Sequence, residues 1–94
     1  MRRRNVDFIM STQFEILIEE LLHAINGEVI DKSRAADRLL DLRNEAVSPA
    51  LVDDVDELLR GMPGRTMVAT EWWRDALEGL RLAAVIDREK TAAI

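Results

Sequence analysis

The chain has 94 residues, with 13 basic and 18 acidic side chains, one histidine and no cysteine. This length allows one small domain with a modest core and argues against a deeply enclosed active site. Without cysteine there are no disulfides, thiolate nucleophiles or cysteine-ligated metal centres, and one histidine cannot build a histidine-rich metal site.

Charge is unevenly distributed along the chain. Arg2, Arg3, Arg4 and Asp7 give the first ten residues a net charge of +2, which leaves −7 for residues 11–94. An acidic body repels both nucleic-acid phosphates and anionic membrane surfaces. We therefore expect a protein partner or a second copy of the chain, with no membrane partner and no nucleic acid beyond a weak contact by the three arginines.

The predicted domain organisation is simple. Residues 1–10 form a basic leader that we expect to be flexible, residues 11–90 form a single helical domain, and residues 91–94 form a tail. The leader lacks the ~7–15 apolar residues of a secretory signal, and no apolar run approaches the ~18–20 residues of a membrane helix. These features predict a cytoplasmic protein, for which Met1 and Met10 are both possible starts.

The first helix is predicted over residues 12–26. Thr12 and Glu15 have the spacing of a capping box at its start, and Gly27 suits the left-handed residue that follows a helix. Apolar side chains recur at the spacing of one helix face, namely Phe14, Leu17, Ile18, Leu21, Leu22 and Ile25.

The second helix is predicted over residues 33–46, with Asp31 or Ser33 as its cap. Its predicted inward face consists of Ala36, Leu39 and Leu40, widened by Ala35, Leu42 and Ala46. The third helix is predicted over residues 49–60, because Ser48 is a favourable cap and Pro49 suits the first helical position.

The fourth helix is predicted over residues 71–90, with Thr70 as its cap. No segment has the apolar alternation of a strand, since Val29 and Ile30 are too short an apolar pair between two acidic residues. Helices joined by short loops usually pack as antiparallel neighbours. The predicted fold is therefore all-α, a small compact four-helix bundle.

His23 is the only side chain that titrates near neutral pH, and Glu19 or Glu20 is spaced to orient it as a general base. Cysteine and tyrosine nucleophiles are absent, and no serine lies in a nucleophile-elbow motif. A surface histidine in the last turn of the first helix, where its charge interacts favourably with the helix dipole, is the simpler interpretation. We therefore predict no catalytic residue and no cofactor.

The densest charge cluster lies in the third helix and consists of Asp53, Asp54, Asp56 and Glu57. Carboxylates are ligands for Ca²⁺ and Mg²⁺, but the calcium-loop spacing is missing and core positions interrupt the cluster. We predict no metal site. The cluster is either a solvated helix face or a patch that docks a basic partner.

Two features of the fourth helix point to an interface. Trp72 and Trp73 project ~100° apart, so only one of them can enter the core fully, and Trp73 continues the inward stripe. Trp72 is then either an exposed anchor, as tryptophan often is at interfaces, or half-covered by the preceding loop. Beyond it, Leu82, Val85 and Ile86 make the helix apolar on most sides, which is typical of a helix covered by another chain.

These features favour a non-enzymatic protein–protein interaction module, such as a small acidic regulator, adaptor or inhibitor. The predicted partner-binding residues lie on the fourth helix and the acidic face of the third, and are Trp72, Ile86, Asp53, Asp54 and Glu57. A homodimeric scaffold protein is the alternative. A small helical enzyme with an anion site at a subunit interface is less favoured, and its candidate residues are Arg38, Arg43, Arg74 and Arg81.

Overall fold

A computed structural model describes residues 12–92, with side chains to residue 90. The predicted leader, including Arg2, Arg3 and Arg4, lies outside the described residues, as does the end of the predicted tail. The elements in chain order are α1 Gln13–His23, β1 Val29–Asp31, α2 Lys32–Glu45, α3 Pro49–Gly61, β2 Met67–Ala69 and α4 Thr70–Ala92.

The four helices pack in a ring, in which α1 contacts α4, α4 contacts α3, α3 contacts α2 and α2 contacts α1. Ion pairs fix the direction of the first contact. Glu15 near the start of α1 pairs with Arg88 near the end of α4, whereas Glu19 pairs with the earlier Arg81. The two helices therefore run antiparallel, and the predicted four-helix fold is confirmed.

The predicted caps form at three helix starts. Thr12 and Glu15 make the complete capping box of α1, with the Glu15 amide donating to the Thr12 hydroxyl at 3.2 Å and the Thr12 amide donating to the Glu15 carboxylate at 3.0 Å. Asp31 caps α2 through the amide of Ser33 at 2.9 Å. Ser48 caps α3, and Pro49 is its first residue.

The helix ends differ from the prediction. α1 ends at His23, with Ala24 as its C-terminal cap, rather than at residue 26. Gly27 does adopt a positive φ of 80°, but it serves the turn that leads into β1. At the other end of the chain α4 continues to Ala92, beyond the predicted end at residue 90.

A two-stranded antiparallel ribbon corrects the prediction that no segment forms a strand. β1 pairs with β2 in the register Val29 with Ala69, Ile30 with Val68 and Asp31 with Met67. Backbone bonds extend the pairing on both sides, from the Lys32 amide to the Thr66 carbonyl at 2.8 Å and from the Thr70 amide to the Glu28 carbonyl at 2.9 Å. Sequence reasoning missed the ribbon because each strand has only three residues and its partner is distant in sequence.

One buried apolar cluster holds the helices and the ribbon together. Its members are Phe14, Ile18, Ala35, Leu39, Leu42, Leu51, Val55, Met62, Val68, Trp73, Leu77, Leu80 and Ala84. On α2 the buried face is rotated from the predicted one, because Ala35, Leu39 and Leu42 are buried while Leu40 is 47% exposed. Leu40 was therefore wrongly placed in the core.

Candidate functional site

The predicted site residues lie on two adjacent helices, α3 and α4. Ser48 fixes this pair, because its hydroxyl accepts from the Leu51 amide at 3.3 Å and donates to the Asp87 carboxylate at 3.0 Å. The same side chain thus caps α3 and joins its start to the late turns of α4. The outer surfaces of both helices therefore belong to one side of the molecule.

Leu82 and Ile86 form the exposed apolar part of α4. Arg81 and Arg88 of this helix face α1, and Asp87 faces α3. Leu82 and Ile86 lie one turn apart on the remaining side, and they are 62% and 47% exposed. Two large apolar side chains of α4 are thus presented to solvent.

Val47 adds a third exposed apolar side chain at the same end of the α3–α4 pair. It is 66% exposed and precedes Ser48, whose hydroxyl contacts Asp87, the neighbour of Ile86. Sequence reasoning counted Leu82 in the apolar excess of α4 but not among the partner-binding residues, and it did not select Val47. The signal available for Leu82 was its position on α4, because it falls on the side opposite the core residue Ala84.

Trp72 and Trp73 separate as their spacing predicts. Trp73 is buried in the core at 2% exposure. Trp72 is half-buried and packs against the core cluster. Of the two possibilities left open for Trp72, its burial favours the partly covered side chain over a fully exposed anchor.

The acidic cluster of α3 divides between two sides. Asp56 accepts from Arg43 of α2 at 2.7 Å and 3.3 Å, and this hydrogen bonding lowers the pKa of Asp56. Asp54 is two residues away, which is ~200° around the helix, and it therefore lies on the α4 side. Asp53 and Glu57 are exposed, and Asp54 is partly buried.

We define the α3–α4 face as Val47, Asp53, Asp54, Glu57, Leu82 and Ile86. It combines exposed apolar side chains with three carboxylates that form no ion pair with a described residue, although Asp53 is close enough to Arg43 to help raise the pKa of that arginine. Exposed carboxylates at Asp75 and Glu89 of α4 add to the negative potential around it. Four of the five predicted partner-binding residues lie on α3 and α4, two helices that pack against each other, and Trp72 is half-buried on α4.

His23 is exposed in the last turn of α1, and its Nδ1 lies 2.9 Å from the Glu19 carbonyl oxygen. The Glu19 carboxylate, which the spacing offered as an orienting group, is bound by Arg81. The His23 ring therefore contacts the backbone, and the Glu19 carboxylate pairs with Arg81 instead of orienting it.

The arginines considered for an anion site are largely engaged by carboxylates of the chain itself. Arg38 pairs with Asp41, Arg43 pairs with Asp56, and Arg81 pairs with both Glu19 and Glu78. The contacts of Arg43 and Arg81 are the closer ones, whereas Arg38 meets Asp41 only at 3.4 Å between two exposed side chains. The structure brings no pair of these four arginines onto a shared acceptor within residues 12–90.

Comparisons with protein families, curated proteins and solved structures find no significant match to this chain. Across residues 12–92, none of the helices combines the length and apolar character needed to cross a bilayer. In the same described region, His, Asp and Glu side chains do not gather in any group of three or more that is placed to hold a metal ion. The indication of function therefore comes from the α3–α4 face itself.

Proposed function

We propose that this chain is a non-enzymatic protein-interaction module that docks a basic protein partner on the α3–α4 face. The observation that carries the proposal is the exposure of Leu82 and Ile86, at 62% and 47%, on a helix whose other sides are packed. Contiguous exposed apolar side chains rimmed by polar residues are typical of interaction sites. A regulator, adaptor or inhibitor of a basic protein fits this description.

The apolar and acidic parts of the face contribute differently to binding. Removing Leu82 and Ile86 from water favours association by ~25 cal/mol for each Å² of apolar area buried. Asp53, Asp54 and Glu57 act mainly on the encounter, because complementary charge raises association rates and selects partners more than it raises affinity. Together they specify a partner with an apolar patch and surrounding lysine or arginine.

A second copy of the chain is the other candidate occupant, since it would cover the same Leu82 and Ile86. Charge argues against it. A self-contact through α4 brings the exposed Asp75 and Glu89 of both copies together, and like charges at an interface cost affinity. The homodimer remains the alternative, and the small helical enzyme stays third because most of its candidate arginines are ion-paired.

Affinity capture from a lysate of the native host tests the proposal, with matched variants of the bait. Leu82→Ser and Ile86→Ser remove the apolar groups of the face, while Leu40→Ser on α2 removes a side chain with the same 47% exposure as Ile86. We expect a basic protein to be retained by the unchanged chain and by Leu40→Ser, and lost with the two face variants. Each lost contact should weaken binding by roughly tenfold or more.

Equal capture by all three variants would contradict the assignment of this face. Sedimentation equilibrium of the purified chain distinguishes the homodimer. A dimer that dissociates in Leu82→Ser and Ile86→Ser but not in Leu40→Ser would replace the basic partner with a second copy. The cytoplasmic location expected from the sequence stays a prediction.

A further inference from the structure

A cleft of about 530 Å³ lies on another part of the molecule, between the end of α1, β1, α2 and the first turn of α4. It forms because α1 ends at His23 and the chain turns at Gly27 into the ribbon, instead of continuing beside α2. Trp73 and Thr70, at 2% and 8% exposure, line its inner part. No residue of the cleft belongs to the α3–α4 face.

The walls of the cleft are held in place by hydrogen bonds from the start of α4. The Thr70 hydroxyl donates to the Gly27 carbonyl at 2.9 Å, and the Thr70 amide donates to the Glu28 carbonyl at 2.9 Å. These two bonds fix the connection between α1 and β1 over the first turn of α4. A cleft with fixed walls loses little conformational entropy when a ligand enters.

Six of the eleven lining residues are apolar, namely Leu21, Ala24, Ile25, Val29, Ile30 and Trp73. Several of these side chains are only partly covered, with Val29 at 51% exposure, so a ligand that fills the cleft removes them from water. The volume falls in the ~300–1,000 Å³ range of small-molecule sites.

Two arginines stand on the α2 side of the cleft. Arg34 and Arg38 lie one turn apart on one face of the helix, and both line the cleft. Among residues 12–90, no carboxylate lies within ion-pair distance of Arg34, although its charge contributes to lowering the pKa of Asp31. Arg38 contacts Asp41 only through Nε at 3.4 Å, with both side chains about half exposed, and such surface pairs contribute little.

The one carboxylate in the lining is already engaged. Asp31 accepts from the Ser33 amide at 2.9 Å and from the Ser33 hydroxyl at 2.7 Å as it caps α2. These hydrogen bonds hold the pKa of Asp31 below its ordinary value. Asp31 stays ionised, so the ionisable groups of the lining are two guanidinium groups and one carboxylate, in a chain whose net charge is −5.

We propose that this cleft binds a small apolar acid, that is, a molecule with a hydrocarbon or aromatic body and a single carboxylate. The body packs against Trp73, Ile25 and Val29, and the carboxylate is held by the guanidinium groups of Arg34 and Arg38. Arginine suits this role because its planar donors match a carboxylate. This site is additional to the protein-interaction face and does not depend on it.

Decanoate, kept below its micelle-forming concentration, is the probe. The chain has two tryptophans, so a Trp72→Phe background leaves Trp73 as the only indole. We expect a saturable change in Trp73 fluorescence with decanoate, binding at least about tenfold weaker with decanol, and no change with acetate. Decanol of equal length tests the carboxylate, and acetate tests the apolar body.

Two variants in this background test the named residues. The double variant Arg34→Gln, Arg38→Gln should weaken decanoate binding by at least about tenfold. The control double variant Arg60→Gln, Arg74→Gln removes the same charge outside the cleft and should leave decanoate binding unchanged. Ala24→Phe places a ring in the cleft and should abolish binding. Ala50→Phe is its control on an exposed position of α3.

Several results would overturn the proposal. These are the absence of a saturable Trp73 response, equal binding of decanol and decanoate, and unchanged affinity in the Arg34 and Arg38 double variant. Circular dichroism checks that each variant keeps its helical content. If Ala24→Phe does not fold, the double arginine variant decides alone, because both substitutions lie on the exposed surface of α2.

Discussion

The Arg88 guanidinium donates to both carboxylate oxygens of Glu15, from Nε at 3.3 Å and from Nη2 at 3.0 Å. The same Glu15 carboxylate closes the capping box of α1 by accepting from Thr12. One buried side chain thus joins the start of α1 to the last turns of α4.

Arg88→Ala is expected to lower the free energy of unfolding by about 2 kcal/mol, because it leaves the buried Glu15 carboxylate without its charged partner. Urea unfolding followed by circular dichroism measures the change. Arg38→Ala breaks an exposed ion pair with Asp41 and should cost less than ~0.5 kcal/mol. Equal effects of the two substitutions would show that the Glu15 contact is not a special source of stability.

Glu15 also predicts a pH dependence. Burial alone raises the pKa of this carboxyl, but hydrogen bonds from Arg88 and Thr12 outweigh it and hold the pKa below its ordinary value. Because the unfolded chain then binds more protons, this group stabilises the fold above its unfolded pKa of ~4.3, and the stabilisation is lost as pH falls through the lower folded pKa.

The pH prediction is checked by comparing the unchanged chain with Glu15→Gln. The unchanged chain should be more stable at neutral pH, and the two unfolding free energies should converge as pH falls through the lowered folded pKa of Glu15. The comparison removes the contributions of Asp31 and Asp56, which are common to both proteins. Curves that stay parallel through this range would contradict the assigned role of Glu15.

Two glycines are expected to respond oppositely to alanine. Gly64 has a φ of +83°, and an added Cβ would lie 2.1 Å from the Met67 carbonyl oxygen, so Gly64→Ala should destabilise the fold by ~2 kcal/mol or more. Gly79 is in the interior of α4 with no atom within 4 Å of an added Cβ. Gly79→Ala should therefore stabilise by ~0.5–1 kcal/mol in thermal unfolding.

Replacing Trp72 and replacing Ile86 should change the free energy of unfolding by different amounts. Trp72 packs against the core, so Trp72→Ala should lower the unfolding free energy by about 2 kcal/mol, less than the ~3–5 kcal/mol typical of a fully buried aromatic. Ile86→Ser on the exposed side of α4 should change it by no more than ~0.5 kcal/mol. Similar losses in denaturant unfolding would place Ile86 in the packed part of the helix.

Charge reversal tests how the acidic part of the α3–α4 face acts. Replacing Asp53, Asp54 and Glu57 with lysine should slow association with the captured basic partner by roughly tenfold at low ionic strength. The effect should fade near 1 M salt, where the screening length falls to ~3 Å. Stopped-flow association rates across a salt series give the measurement.

The control for this experiment reverses equal charge on another helix. Asp37, Asp41 and Glu45 of α2 are all exposed. Their lysine variants match the face variants in net charge and should slow association much less. If both triple variants slow association equally, the net charge of the chain accounts for the effect, and the acidic patch of α3 has no specific role in association.

The helices were predictable because their information is local. Periodic apolar residues and the caps at Thr12, Asp31 and Ser48 depend only on neighbours within a few residues. The exact inward face of α2 was not predictable. Leu40 and Leu42 are both apolar, and only the position of the neighbouring helices decides which of them is buried. The early end of α1 at Ala24 likewise depends on the ribbon that follows.

The candidate site was predictable in part for the same reason. The acidic run of α3 and the apolar excess of α4 are visible in the sequence, and both contribute to the α3–α4 face. The pairing of Asp56 with Arg43, which removes one carboxylate from that face, requires knowing that α2 lies beside α3. The cleft near Trp73 has no sequence signal, because four separate elements form its walls.

The β1–β2 ribbon also bears on the order in which the molecule folds. Its two strands enclose residues 32–66, so the chain leaves the ribbon, forms α2 and α3, and returns to the strand it left. The entropy lost on closing that loop increases only slowly with the length of the loop. This entropy is lost before the paired strands contribute any stabilisation. We therefore expect the contacts between β1 and β2 to form late in folding. The hairpin of α2 and α3, which the two strands enclose, forms before them.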